Sequence, residues 1–219
     1  METELSESLP PEQELALAYT PREIREKFRA LLSFDQRMAR IVAATTEPML
    51  GQMRLAWWRE QLAIAPAERP EGDLVLGSLG LHWAGSEDTL TAAINAHEVM
   101  VASETLSAAD VERYVEGRSE QFGHIFPCRN DGELSAILTA AKIYICADAS
   151  TRLSDPTEQQ LFLEHGEARI DAAARLPWLL RGLGVLQALA VRSLKNGGKP
   201  LMEGRGAALT ALRAAMIGR

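Results

Sequence analysis

Apolar residues recur every three or four positions between Ile24 and Val42, which is the spacing of one face of an α-helix. Further segments with helical spacing follow along the chain, and breaks that contain Pro, Gly or Asp separate them. Ala and Leu dominate these segments, whereas Val and Ile do not gather in alternating runs. Because Ala and Leu are strong helix formers and alternation is the strand pattern, the sequence predicts an all-α fold. We expect a single bundle of about eight to ten helices.

Local signals predict where several of these helices begin. Thr20 is expected to cap the second helix, with Pro21 at its first position, and Thr46 to cap the third. Ser107 opens a capping box, and the segment 173–194 is expected to form one helix with a kink near Pro177. The predicted helices cover approximately residues 12–18, 21–44, 48–64, 73–83, 87–104, 107–126, 133–153, 157–174, 173–194 and 205–217.

Length and composition indicate one globular unit. The chain has 219 residues, of which 47% are hydrophobic and 24% charged, as in ordinary globular domains. Residues 1–11 are polar and end in two prolines, so we expect a flexible N-terminus. The remaining residues, 12–219, are then predicted to form a single helical domain.

Charge and cysteine content narrow the range of partners. The net charge of −7 gives no general attraction for nucleic acid, so we expect no nucleic-acid partner. Cys128 and Cys146 form no pairing motif and are expected to be reduced thiols in a cytoplasmic protein. No apolar run approaches the roughly 18 residues that a membrane span needs, which leaves open only a peripheral contact with a membrane.

Acidic residues were considered as magnesium ligands, because an all-α protein can hold this ion with carboxylates at i and i+4 on facing helices. Asp148 has Arg152 at i+4, and Asp155 has Gln159, so neither completes such a pair. An acidic row with this spacing exists at Glu112, Glu116 and Glu120. Rows of this kind are typical of a solvated helix face.

The segment EPMLGQMRLAWWREQL contains two adjacent tryptophans. No other part of the chain has such a high density of large and charged residues. Trp57 shares an apolar helix face with Met49 and Met53, so we expect it in the core, where its replacement by Ala should cost about 3–5 kcal/mol. Trp58 shares a different stripe with Arg54, whose guanidinium can stack on its ring. This second stripe either closes the edge of a buried helix or lines a cavity for an apolar ligand.

The segment 17–64 resembles the N-terminal part of the squalene/phytoene synthase family. The resemblance rests on an EPxLxQxRLxWWR helix that follows an FxxRxAxI helix. The segments INAHEVMVASETLSAADVERYVEGRSEQFGHIF and LPWLLRGLGVLQALAVRSLKNGGKP are similar to later helices of the family in pattern. The resemblance implies an isoprenoid-synthase fold, which is a helical bundle around a central apolar cavity.

Active members of that family condense two prenyl diphosphates head to head, and two aspartate-rich motifs on facing helices hold the magnesium that binds the diphosphates. In this sequence the first motif region reads SFDQRMARI, where Asp35 stands alone. The second region, CADASTRLSDPTEQ, offers Asp148 or Asp155 without a partner. Since a lone carboxylate is a poor clamp for magnesium diphosphate, we expect no synthase activity.

Three functions are therefore weighed. The favoured one is a catalytically degenerate protein that binds an isoprenoid or other apolar ligand, or a partner protein. The second is an active magnesium-dependent prenyl-diphosphate transferase in which a Glu of the acidic row replaces the missing aspartates. The third is an interaction protein similar to the complex I assembly factors of this fold, with the cavity filled by its own side chains. The candidate ligand or cavity residues are Asp35, Arg37, Arg54, Trp58, Tyr114, Asp148, Arg152 and Asp155, of which Asp35, Asp148 and Asp155 are the candidate metal ligands.

Overall fold

Residues 8–217 are described by the computed structural model of the chain, and they contain ten α-helices and no strand. The predicted all-α bundle is confirmed. The helices are α1 (Pro11–Ala18), α2 (Arg22–Ala43), α3 (Pro48–Ala63), α4 (Leu74–His82), α5 (Glu87–Ala102), α6 (Ala108–Ile125), α7 (Asp131–Arg152), α8 (Pro156–Glu167), α9 (Arg181–Lys195) and α10 (Arg205–Ile217). No helix in this part of the chain has the length and apolar character to cross a membrane.

Four helices, α2, α5, α6 and α7, pack around one interior region. α6 packs against α5 on one side and α7 on the other, while α2 contacts both α5 and α6. α9 lies between α7, α1 and α10, and α3 packs mainly on α5. The buried apolar side chains of the described residues join into one cluster, in which Phe28 contacts the ring edges of Phe122 and Phe126. Polar side chains from α2, α5, α6 and α7 meet inside this arrangement.

Residues 8–11 do not form the flexible lead-in that their composition suggests. The predicted flexible segment 1–11 falls largely on residues 1–7, which lie outside the described residues. Leu9 is buried in the core cluster, and α1 begins at Pro11. Gln13 on α1 donates a hydrogen bond of 2.7 Å to the hydroxyl of Tyr144 on α7, which fastens α1 to the bundle.

Some of the predicted helix ends are wrong. Thr20 does not cap α2, because its hydroxyl donates to the Ala16 carbonyl at 2.8 Å and so completes the end of α1. Thr46 is likewise not the cap of α3, whose N-cap position is Glu47. The capping box at Ser107 is confirmed, with both of its hydrogen bonds present. For both α2 and α3 the N-cap position is one residue later than predicted, at Pro21 and at Glu47.

The segment 173–194 is not one kinked helix. It contains a 3-10 turn at Trp178–Leu180, and α9 begins only at Arg181. Pro177 cannot donate a backbone hydrogen bond and would clash with the preceding turn, so the helix starts after it instead of running through it. The non-helical stretch 173–177 consequently lies against the outer side of α9 and forms one wall of a groove.

The predicted burial of the two tryptophans is reversed. Trp58 is 3% exposed and Trp57 is 39% exposed. The contact face of α3 consists of Gly51, Leu55, Trp58 and Leu62. A Cβ at Gly51 would lie 2.8 Å from the Val101 side chain of α5, so the two helices approach closely along this stripe. The stripe with Met49, Met53 and Trp57 therefore faces outward, because α3 has only one face in close contact.

Candidate functional site

A buried arginine joins two aspartates at the centre of the bundle. Arg118 of α6 donates from Nε to Oδ1 of Asp35 on α2 at 2.8 Å, and from Nη2 to the other oxygen of the same carboxylate. The same Nη2 lies 3.1 Å from Oδ2 of Asp148 on α7. The side chains of Asp35, Arg118 and Asp148 are 13%, 2% and 4% exposed. One guanidinium thus holds carboxylates from two facing helices.

Further polar groups complete this network. Arg118 also donates to the hydroxyl of Tyr114, one turn earlier on α6, at 2.6 Å. Arg152 of α7 makes two hydrogen bonds to Oδ1 of Asp148, at 2.8 and 3.0 Å, and reaches the side-chain carbonyl of Gln36 at 3.2 Å. Two carboxylates and two guanidinium groups therefore balance each other's charge, with Arg118 buried and Arg152 partly exposed at the edge of the network.

The neighbouring charges and the burial of the network shift the pKa values of Asp35, Arg152 and Tyr114. Burial is the largest single influence on Asp35 and raises its pKa, but the charge and hydrogen bonds of Arg118, together with His97 and Arg152, hold that pKa below its ordinary value. Arg152 has a raised pKa because of the Asp148 carboxylate. Burial raises the pKa of Tyr114 to about 12, so its phenol stays protonated at neutral pH. A lowered pKa at Asp35 and a raised pKa at Tyr114 do not suit either group to proton transfer near pH 7.

His97 of α5 lies beside this network in a buried position. Its Nδ1 is 2.9 Å from the Ala93 carbonyl, and its Nε2 lies 3.8 Å from Oδ1 of Asp35 without a hydrogen-bond partner. Burial lowers the pKa of His97 from 6.5 to about 4, although the Asp35 charge opposes this effect. His97 is therefore neutral at pH 7, and its Nδ1–H donates to Ala93.

This geometry predicts that stability falls on acidification. Between pH 6.5 and about pH 4 the unfolded chain takes up a proton on His97 that the folded protein does not, so unfolding becomes easier as pH decreases. The free energy of unfolding should drop by about 2 kcal/mol between about pH 7 and about pH 5 through this residue. Urea titrations at both pH values measure the drop. His97→Gln should remove most of it, and an equal drop in that variant would contradict the assignment.

The residues of the network do not fit magnesium. Magnesium requires free carboxylate oxygens, yet both oxygens of Asp35 accept from Arg118, and those of Asp148 accept from Arg118 and Arg152. In the described part of the chain, no three His, Cys, Asp or Glu side chains gather in a way that could hold a metal ion. The guanidinium of Arg118 lies between the two carboxylates, and a cation could enter there only if Arg118 moved away.

The structure gathers some of the predicted site residues and separates others. Asp35, Tyr114, Asp148 and Arg152 meet in the network, as described above. Arg37 lies nearby, paired with Asp73 at 2.8 Å and with its guanidinium 5.7 Å from the Trp58 ring centre. The predicted stack of Arg54 on Trp58 is wrong, because Arg54 points to solvent and Arg37 takes that place. Asp155 is also apart, since it is exposed and caps α8 through the amides of residues 157 and 158.

The acidic row does not supply substitute metal ligands at the network. Glu112 binds Arg169 at 2.9 Å, and Glu116 pairs with Lys142. Glu120 is exposed. Two of the three carboxylates are thus held by basic residues on neighbouring segments, which is the surface role that such rows usually have.

Sequence reasoning missed Arg118 and His97. Arg118 belongs to a segment, GRSEQF, whose alternating polar residues look like a solvated helix face. The only local signal was Tyr114 four residues earlier, which places its hydroxyl on the same helix face. His97 has its neighbour Asp35 on another helix. Neither partnership can be inferred from neighbouring residues in the sequence.

Comparison with known proteins identifies the family. The family profile described as squalene/phytoene synthase matches residues 12–131, which is more than half of the 219-residue chain. The searches of curated proteins and of solved structures returned no match. The matched region includes α2 with Asp35 and α6 with Arg118, which are two of the three helices that form the bridged network. The chain therefore belongs to the squalene/phytoene synthase family.

Proposed function

We propose that this protein is a non-catalytic member of its family that acts by binding a partner protein. The observation that carries the proposal is the Arg118 guanidinium that bridges Asp35 and Asp148. A prenyl transfer needs cations that neutralise the charge of the departing diphosphate. Here the central carboxylates are neutralised by arginines of the chain itself, and every oxygen of the pair already accepts a hydrogen bond from an arginine.

The packing of the network also speaks against a substrate at this position. The side chains of Asp35, Arg118 and Asp148 are nearly or fully buried, and the Tyr114 ring packs edge-on against both His97 and Phe162. A bound diphosphate would have to break ion pairs that are shielded from water. Such pairs are costly to break, because each charge that is left alone remains buried. This favours the interpretation in which the chain's own side chains fill the centre.

An apolar surface on α3 supports protein binding as the activity. It is formed by Met49, Leu50, Met53, Trp57 and Ile64, which we name the α3 stripe; these side chains are between 37% and 72% exposed. Met and Trp are enriched at protein interfaces, where they supply large and adaptable contact area. Contiguous exposed apolar residues of this kind commonly mark interaction sites. The α3 stripe is on the outer side of the helix whose inner side holds Trp58.

Incubation with farnesyl or geranylgeranyl diphosphate and magnesium tests the absence of catalysis. We expect no release of diphosphate and no hydrocarbon product, at protein concentrations where an active synthase of the family serves as positive control. The absence of a metal clamp is the physical reason. Magnesium-dependent formation of a head-to-head product would contradict the proposal.

Site-specific photocrosslinking in cells tests the partner. A photoreactive residue at Met53, in the α3 stripe, should crosslink to one defined protein. That protein, once purified, should then bind directly to the purified chain. The matched control is the same residue at Gln160, which is exposed on α8. Trp57→Glu should abolish the Met53 crosslink with only a small shift in the unfolding midpoint. Equal crosslinking from both positions, or an unchanged crosslink in Trp57→Glu, would count against the α3 stripe.

A further inference from the structure

A groove lies between the non-helical segment 173–178, the outer face of α9 and the C-terminal half of α10. Its volume is about 820 Å³, within the range of about 300–1,000 Å³ that is usual for small-molecule sites. Leu176, Pro177, Ala188, Val191, Ala214 and Met216 give it a largely apolar lining. The buried network of Asp35 and Arg118 contributes no residue to the groove, so this is a separate feature of the fold.

Basic residues surround this apolar lining. Arg175, Arg181, Arg192, Lys195 and Arg213 all line the groove, and none of the described acidic residues does. This concentration contrasts with the net charge of −7 for the whole chain. Within residues 8–217, Arg181, Arg192, Lys195 and Arg213 take part in no ion pair with an acidic side chain. Their charges are thus available to an anion from outside the protein.

Arg181 gives a second, independent indication of a ligand. Its guanidinium lies 5.3 Å from the centre of the exposed Trp178 ring, and its Nε is buried without a hydrogen-bond partner. A buried donor without a partner is unfavourable, and an anion in the groove beside Arg181 would stabilise the positive charge of its guanidinium. Trp178 is 65% exposed and lies at the same end of the groove, where it would contact an apolar chain.

We propose that this groove binds one molecule of an amphiphile that has a single apolar chain and an anionic head group. The apolar lining takes the chain, and the basic residues take the head group. Because the site is a concave groove of about 820 Å³, it accommodates an individual molecule and not the flat surface of a bilayer. This inference is independent of the proposed partner binding, which uses α3 on another part of the protein.

Gly184 offers a direct test. It lines the groove on α9, and a Cβ built at this position meets no atom within 4 Å. Gly184→Leu therefore places a side chain into the groove without a clash and raises helix propensity. The matched control is Gly77→Leu on α4, where a Cβ also meets no atom within 4 Å, but which lies outside the groove. Both variants should fold, which circular dichroism checks.

Calorimetric titration with monomeric dodecyl phosphate measures the binding. We expect saturable binding of one molecule by the unaltered protein and by Gly77→Leu, and a loss of more than about tenfold in affinity for Gly184→Leu. The exposed rim double variant Lys195→Gln/Arg213→Gln should weaken binding by about tenfold. Dodecanol and inorganic phosphate, which each present only one half of the amphiphile, should bind far more weakly.

Four outcomes would overturn the proposal. They are no binding of dodecyl phosphate, equal affinity in Gly184→Leu and Gly77→Leu, equal affinity for dodecanol, or binding only to phosphatidylglycerol vesicles without any binding of the monomer. The last would indicate attraction to a membrane surface. Failure of the α3 photocrosslinking would leave this experiment unaffected, because the variants and the readout are different.

Discussion

Replacing Arg118 with Met will lower the free energy of unfolding by about 3–5 kcal/mol, because it leaves buried carboxylates without their counter-charge. The loss falls mainly on Asp35, both of whose oxygens accept from Arg118. Asp148 keeps its two hydrogen bonds from Arg152. His97 cannot take the place of Arg118 at neutral pH, since burial lowers its pKa to about 4. Urea unfolding followed by circular dichroism gives the free energy.

The matched control is Arg59→Met on α3. Arg59 makes a comparable hydrogen bond of 2.8 Å to Glu98, but both side chains are about one-third exposed. Partly exposed pairs of this kind contribute about 0–1 kcal/mol, so this variant should unfold nearly as the unaltered protein does. The comparison separates the burial of the charges from the mere loss of an arginine.

A compensating variant shows whether the uncompensated charge is the cause. Arg118→Met combined with Asp35→Asn removes the buried negative charge together with its partner, and it should recover a large part of the lost stability. If the double variant were as unstable as Arg118→Met, the packing of the arginine, and not its charge, would explain the loss. If Arg118→Met itself were neutral, the bridge between α2, α6 and α7 would have no structural role.

The fold could be predicted because its signals are local. Helical spacing and Pro, Gly or Asp breaks lie within a few residues of each other, and α10 was predicted with the bounds that it has. The family resemblance pointed to Asp35 and to either Asp148 or Asp155, and the structure joins Asp35 and Asp148 through Arg118. The resemblance could not name this bridge, because Arg118 is 83 residues from Asp35 and 30 from Asp148. Such a contact is decided by how the helices pack, which no local pattern records.

The α3 error has a different physical origin. Residues 57 and 58 are about 100° apart around a helix, and each belongs to a stripe of large apolar residues. Periodicity identifies both stripes but not the one that meets a neighbouring helix. The deciding residue was Gly51, whose lack of a side chain lets α3 approach Val101 of α5. A small residue in line with Leu55, Trp58 and Leu62 was the signal of close packing on that face.

The adjacent tryptophans allow the same substitution to be made on both faces of α3. Trp58→Ala should lower the free energy of unfolding by about 3–5 kcal/mol, because Trp58 is 3% exposed and packs edge-on against Phe34 with ring centres 5.7 Å apart. Trp57→Ala should cost about 1 kcal/mol or less, since the Trp57 ring is 39% exposed and contacts mainly the edge of Trp58.

Urea unfolding of the two variants shows which face of α3 is buried. Both variants replace Trp with Ala in the same helix, so the change in helix propensity is the same in each and does not affect the comparison. Equal losses would mean that both rings are buried, which would remove Trp57 from the exposed α3 stripe and with it the proposed partner surface. A larger loss for Trp57 would reverse the orientation of the helix. With the expected order of losses, Trp57→Ala leaves a stable protein, so any loss of the Met53 crosslink in that variant reports on the α3 stripe itself and not on unfolding.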